Sequence, residues 1–161
     1  MFDRFGEFDS YEEINEAAEG LFNEGDLESL RLMAAENGLE AYVEMYTSGD
    51  TDTLCDDAMT AALGKIEVEA ASLNLGEIME DWRSYIEAQI MEDEQFAVQV
   101  RRKGKNLDQC IAALLKWSFG HQYQINTDII HAAGVTAGKV TLGIPGMGTA
   151  RKIIRKYYMG A

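Results

Sequence analysis

The chain has 161 residues, 47% of them hydrophobic, 9% aromatic and 26% charged, with a net charge of −14. That balance excludes general disorder and admits one ordinary domain or two small ones. No apolar run reaches the ~18 residues a membrane span needs, so no membrane partner is expected. Met1-Phe2-Asp3-Arg4-Phe5 lacks the basic and apolar parts of a secretory signal, and two cysteines, Cys55 and Cys110, make no disulfide framework; the expected location is a reducing cytosol.

Start and stop signals predict helices along most of the chain. Ser10-Tyr11-Glu12-Glu13 reads as a capping box, in which hydroxyl and carboxylate each satisfy a backbone N–H. The helix behind it turns Ile14, Ala17, Ala18, Leu21 and Phe22 inward and ends near Asn23-Glu24-Gly25. Asp26 caps a second helix with Leu27, Leu30, Met33 and Ala34 inward, stopped by Asn37-Gly38. A third, short helix carries Leu39, Tyr42, Val43 and Tyr46 to Ser48-Gly49. Residues 1–49 are thus expected to form an acidic three-helix module. The polar joint Asp50-Thr51-Asp52 then opens a main helical domain over residues 50–161.

A longer helix is expected from Thr53 to Ser72, with Gly64 as its weak point. Ile78, Trp82, Tyr85, Ile86 and Ile90 keep helical spacing in the next segment. Met91-Glu92-Asp93-Glu94 breaks that helix, because a new apolar phase starts at Phe96, Ala97 and Val100. Arg101-Arg102-Lys103-Gly104 ends the following helix. Asn106 caps another that bears Leu107, Cys110, Ile111, Leu114, Leu115 and Phe119. Asn126-Thr127-Asp128 opens a shorter helix that Gly134 closes, Lys139-Val140-Thr141-Leu142 reads as extended, and a glycine-rich loop leads into a last helix from Thr149 to Met159. One face of that helix is apolar, with Ala150, Ile153, Ile154, Tyr157 and Tyr158; the other carries Arg151, Lys152, Arg155 and Lys156. The expected fold is all-α, a multi-helix bundle of about seven or eight helices with at most a short β pair near the C-terminus. Its core is expected to include Trp82, Ile86, Ile111, Leu114, Leu115, Ile153 and Tyr157.

Charge divides the chain unevenly. Residues 1–98 carry 26 carboxylates against four cations, a balance of −22, and residues 99–161 carry ten cations against two carboxylates, a balance of +8. Mutual attraction of the halves and solubility account for part of this division. The functional alternative is an acidic surface made for a strongly basic partner. Such a surface cannot itself grip nucleic acid, which requires Lys and Arg to displace phosphate counterions. Glu77, Glu80, Asp81 and Glu87 lie to one side of the apolar stripe of their segment, and Asp93 and Glu94 extend the row at the following break. These six are the candidate partner-binding residues. The alternative candidates are cationic: Arg101, Arg102 and Lys103 in the basic turn, and Arg151, Lys152, Arg155 and Lys156 on the last helix, for nucleic acid.

Catalytic constellations are weak. The only histidines are His121 and His131, in no nucleophile signature. Cys110 and His121 would stand ~16 Å apart along one helix. No zinc spacing and no twelve-residue calcium loop is present. Gly143, Gly146 and Gly148 precede a helix without the Gly-Lys-Ser/Thr ending of a phosphate loop. No enzymatic activity and no cofactor are expected; a divalent metal held by ligands from distant segments stays open.

The stretch Ile90 to Phe119, IMEDEQFAVQVRRKGKNLDQCIAALLKWSF, resembles the PcfK-like helical proteins of Firmicutes mobile elements, a group that includes inhibitors of type II CRISPR nucleases. The matching features are the acidic MEDEQFA segment, Val100, the basic RRKGK turn and the NLDQCIAALLKW helix with Cys110 and Ile111. The resemblance covers about a fifth of the chain. It implies an anti-CRISPR role whose partner is a type II effector nuclease, or, in the alternative reading, an accessory protein of a mobile element that binds nucleic acid through the basic C-terminal region.

Overall fold

The computed structural model describes residues 2–160. It is an all-α bundle: nine α-helices, one 3₁₀ turn and a single two-stranded antiparallel pair make up the regular structure among the described residues. The chain divides into two compact units between Asp108 and Gln109.

In the first unit, Ser10 caps α1 (Tyr11–Asn23), its hydroxyl accepting the Glu13 N–H at 3.3 Å. The Glu13 carboxylate reaches back one residue further than a simple capping box requires, to the Asp9 N–H at 2.7 Å. Asp26 caps α2 (Leu27–Glu36) by accepting from Ser29 N–H. The expected third helix is a 3₁₀ turn over Glu40–Tyr42 followed by α3 (Val43–Ser48). Ile14, Ala18, Leu30, Met33, Ala34, Leu39 and Val43 pack with Leu54, Cys55 and Ala61 in one buried cluster. The polar stretch Asp50-Thr51-Asp52 therefore lies within the first unit, because the apolar side chains on both sides of it share a core. Leu27, at the solvent side of its first turn, is exposed.

The second layer of this unit is α4 (Ala58–Leu73), α5 (Ile78–Glu92) and α6 (Glu94–Arg101), which pack pairwise. Asp57 caps α4 through the Thr60 N–H. Gly64 is a contact point: α4 passes so close to the turn after α2 that a Cβ on Gly64 would lie 2.4 Å from the Asn37 carbonyl oxygen. Asp93 alone separates α5 from α6 and caps the latter, accepting from Phe96 N–H at 3.1 Å. That one extended residue resets the helical phase, so Trp82, Ile86 and Ile90 of α5 and Phe96, Ala97 and Val100 of α6 can all be buried.

Helix α7 (Leu107–Gly120) begins at the end of the first unit and continues into the second. The second unit adds β1 (Tyr123–Gln124), α8 (Thr127–Ala132), β2 (Thr141–Leu142) and α9 (Met147–Met159). Tyr123 pairs with Leu142 and Gln124 with Thr141. Leu107, Cys110 and Leu114 form the buried stripe of α7, while Leu115 is 53% exposed and Ile111 half-buried. On α9 the buried positions are Ala150, Ile154 and Tyr158, spaced four apart; Ile153 and Tyr157 flank them, half-buried. The expected core is thus corrected at Leu115, which lies one residue, about 100 degrees, beyond the stripe that its neighbour occupies.

Candidate functional site

Charge inside the first unit is arranged in two ways, one internal and one on the surface. The internal arrangement centres on Lys65 of α4, fully buried. Its ammonium forms an ion pair with Glu7, donates to the Arg102 carbonyl at 2.9 Å and lies 3.9 Å from Glu69 Oε1. Glu69, one turn on, accepts the Leu107 N–H at 2.7 Å and so fixes the start of α7. Arg101, 1% exposed, donates from Nη2 to Asn37 Oδ1 at 2.6 Å and sits 6.0 Å from the Phe2 ring centroid. Burial lowers the pKa of Lys65, the Glu7 hydrogen bond opposing the shift, and pushes Glu69 up to about 7. Arg101 is brought down to about 10 by the same desolvation and remains charged at neutral pH. The segment before α1 closes this cluster: Glu7 also accepts the Gly104 N–H, Asp9 the Lys103 N–H, and Glu36 the N–H groups of Arg4 and Phe5.

The surface is where the excess carboxylates lie. Of the six acidic candidates, Glu77, Asp81 and Glu94 are exposed; Glu80, Glu87 and Asp93 are partly covered. Glu80 and Glu87 flank Arg83, at 3.7 and 2.8 Å, so two members of the row share a cation on their own helix. Asp93 is engaged as the cap of α6. Glu77 occupies the N-cap position of α5 without a side-chain cap bond, at φ 51°, a positive-φ backbone that costs a residue with a side chain roughly 1–3 kcal/mol. Among the basic candidates, Arg102 and Lys103 are exposed, whereas Arg101 is consumed in the core and is not part of any surface patch. Lys103 approaches Glu13 at 3.4 Å. Arg151, Lys152 and Lys156 of α9 are exposed and Arg155 is half-buried.

A second acidic surface escapes the sequence reading. Glu12, Glu16 and Glu19 follow one another along α1 and, with Asp52, line a groove of about 670 Å³ that also contains Phe22 and Tyr46. Their i, i+4, i+7 spacing, opposite Ile14, was available in the sequence as a signal; the participation of Asp52 and Tyr46 was not, since it depends on the return of the chain after α3.

Both cysteines are free thiols withdrawn from solvent. Burial raises the Cys55 thiol to about 11, and Cys110 is buried. The His121 ring stacks on Trp117 at 4.2 Å and hydrogen-bonds the Trp117 carbonyl oxygen. Among the described residues, no group of three or more His, Cys, Asp or Glu is placed to hold a metal ion, and no helix is long and apolar enough to cross a membrane. Comparison with family models, with curated proteins and with solved structures finds no match for this chain.

Proposed function

We propose that the protein is a stoichiometric, non-enzymatic inhibitor of a type II RNA-guided nuclease in a bacterial cytoplasm, binding a basic surface of that nuclease and blocking DNA binding or cleavage. The observation that carries the reading is the use of cations in the first unit. Residues 1–108 hold 27 carboxylates and only eight cations. Of those eight, Lys65 and Arg101 are buried and Arg83 lies between two glutamates. Glu69 is buried with them, so outside the core the unit still carries 26 carboxylates against six cations and keeps its full acid excess. A nuclease of this class keeps its heteroduplex in a positively charged channel and reads its recognition site with arginines, and a carboxylate-rich surface would reach such regions by electrostatic steering. The resemblance of Ile90 to Phe119 to anti-CRISPR-containing PcfK-like proteins supports the same choice of partner.

The test is DNA cleavage by a purified type II nuclease with guide, after preincubation with increasing amounts of the protein. Inhibition should saturate near one protein per nuclease; inhibition at far lower ratios would indicate an enzyme instead. In the folded triple variant Glu80→Lys, Asp81→Lys, Glu87→Lys, association should slow by about tenfold or more, in the range that electrostatic steering commands. An unchanged rate would remove this row from the interface. A second reading, nucleic-acid binding by the C-terminal region, is favoured by the exposure of Arg151, Lys152 and Lys156 on one helix. A low-salt mobility-shift assay with duplex DNA and with RNA separates it, since the inhibitor reading predicts no shift.

A further inference from the structure

We propose that the groove along α1 is a docking site for an arginine-bearing basic segment of a protein partner. This deepens the proposed function, on which it rests, by stating where and by what chemistry a cationic chain is held. Four carboxylates, Glu12, Glu16, Glu19 and Asp52, line the groove, and no Lys, Arg or His does. At its end, the Phe22 and Tyr46 rings lie 5.5 Å apart at 52°, with Phe22 39% exposed. An aromatic pair beside carboxylates suits a guanidinium, which stacks on a ring face and offers a flat fork of donors to a carboxylate. An ammonium satisfies only the charge.

The layout also selects a chain over a small ion. The carboxylates are strung along α1 instead of converging, and they form no group able to hold a metal. Glu12 to Glu19 spans ~10 Å of helix, matching about three residues of extended peptide. The walls are fixed before any ligand arrives, because the Asn15 side chain donates to the Cys55 carbonyl at 2.8 Å and accepts the Cys55 N–H at 2.9 Å. Glu12 is kept ionised by its hydrogen bond with Ser10, and burial followed by the charge of Glu19 raises the Tyr46 phenol, so Tyr46 stays neutral beside the acids.

The experiment titrates the full chain with fluorescein-labelled eight-residue peptides that alternate Gly with Arg, Lys or Asp, at 150 mM salt. The Arg peptide should bind at least about fivefold more tightly than the Lys peptide, and the Asp peptide not at all. Glu16→Gln with Glu19→Gln should weaken the Arg peptide by about tenfold. Glu67→Gln with Glu92→Gln, two exposed carboxylates outside the groove whose loss changes the net charge equally, should alter it less than about twofold. Equal affinities for Arg and Lys, or equal weakening by the two double variants, would overturn the groove. Nuclease cleavage run alongside keeps the two ideas apart. If Arg-peptide binding behaves as stated but the nuclease is never inhibited, the inhibitor reading falls and the groove stands. If the nuclease is inhibited equally by the wild type and by Glu16→Gln with Glu19→Gln, the groove has no part in that interface.

Discussion

Two glycines in helices answer to opposite demands. Gly64 faces backbone: an added Cβ would meet the Asn37 carbonyl oxygen at 2.4 Å, and backbone cannot yield as a flexible side chain does. Gly20, inside α1, has nothing within 4 Å. Gly64→Ala should therefore destabilise the protein by about 1–3 kcal/mol or more through overpacking, while Gly20→Ala should stabilise it by about 0.5–1 kcal/mol through helix propensity. Urea unfolding of both variants measures the contrast. In the sequence Gly64 reads only as a helix-weakening residue, since a close crossing with Asn37, 27 positions away, leaves no local pattern. Glu69 is a similar case. Its carboxyl is raised from 4.5 to about 7 by burial, so between those values the folded chain holds a proton that the unfolded chain has released. The stability contributed by this group is full below pH 4.5 and is lost as pH rises through 7. Relative to Glu69→Gln, the wild type should lose melting temperature between pH 5 and 8; parallel profiles for the two proteins would remove Glu69 as the titrating group.

Helices were legible where a side chain speaks for its own backbone. Ser10, Asp26 and Asn126 each accept an N–H two or three residues ahead, a purely local signal. The break at Met91–Glu94 was equally clear, because two apolar phases cannot share one helix, and Asp93 supplies both the interruption and the cap. Facing was harder to read where apolar residues adjoin. Leu114 and Leu115 are both strong core residues by type, yet one stripe of α7 accepts only the first. Leu114→Ala should cost about 2–5 kcal/mol, whereas Leu115→Ala should stay within about 0.5 kcal/mol. Thermal unfolding of the pair checks the orientation of α7. The acidic face of α1 was legible as spacing, but its role as one wall of a groove depends on Asp52 and Tyr46, which come from another part of the chain.

For the whole molecule, composition foretold an all-α fold and a surplus of acid, and both follow from counting and periodicity. The division into units at Asp108–Gln109 did not announce itself. It falls inside a continuous helix, where no glycine, proline or polar run marks it, while the conspicuous Asp50-Thr51-Asp52 joint merely links helices that share one core. Nor did the buried cations show. A lysine and an arginine read as surface residues until Glu7 is brought to Lys65 and Asn37 to Arg101 from distant segments. Their burial gives the two cysteines a use that their chemistry alone would not suggest. Cys55 lies buried in the core cluster of the first unit and Cys110 on the buried stripe of α7, so each shielded thiol is a natural marker of the opening of its own surroundings. A colourless alkylating reagent should leave the native chain untouched at pH 8 and consume both thiols in urea, as mass spectrometry would count. With Cys110→Ala or Cys55→Ala, the labelling rate of the remaining thiol times the breathing of one site at a time.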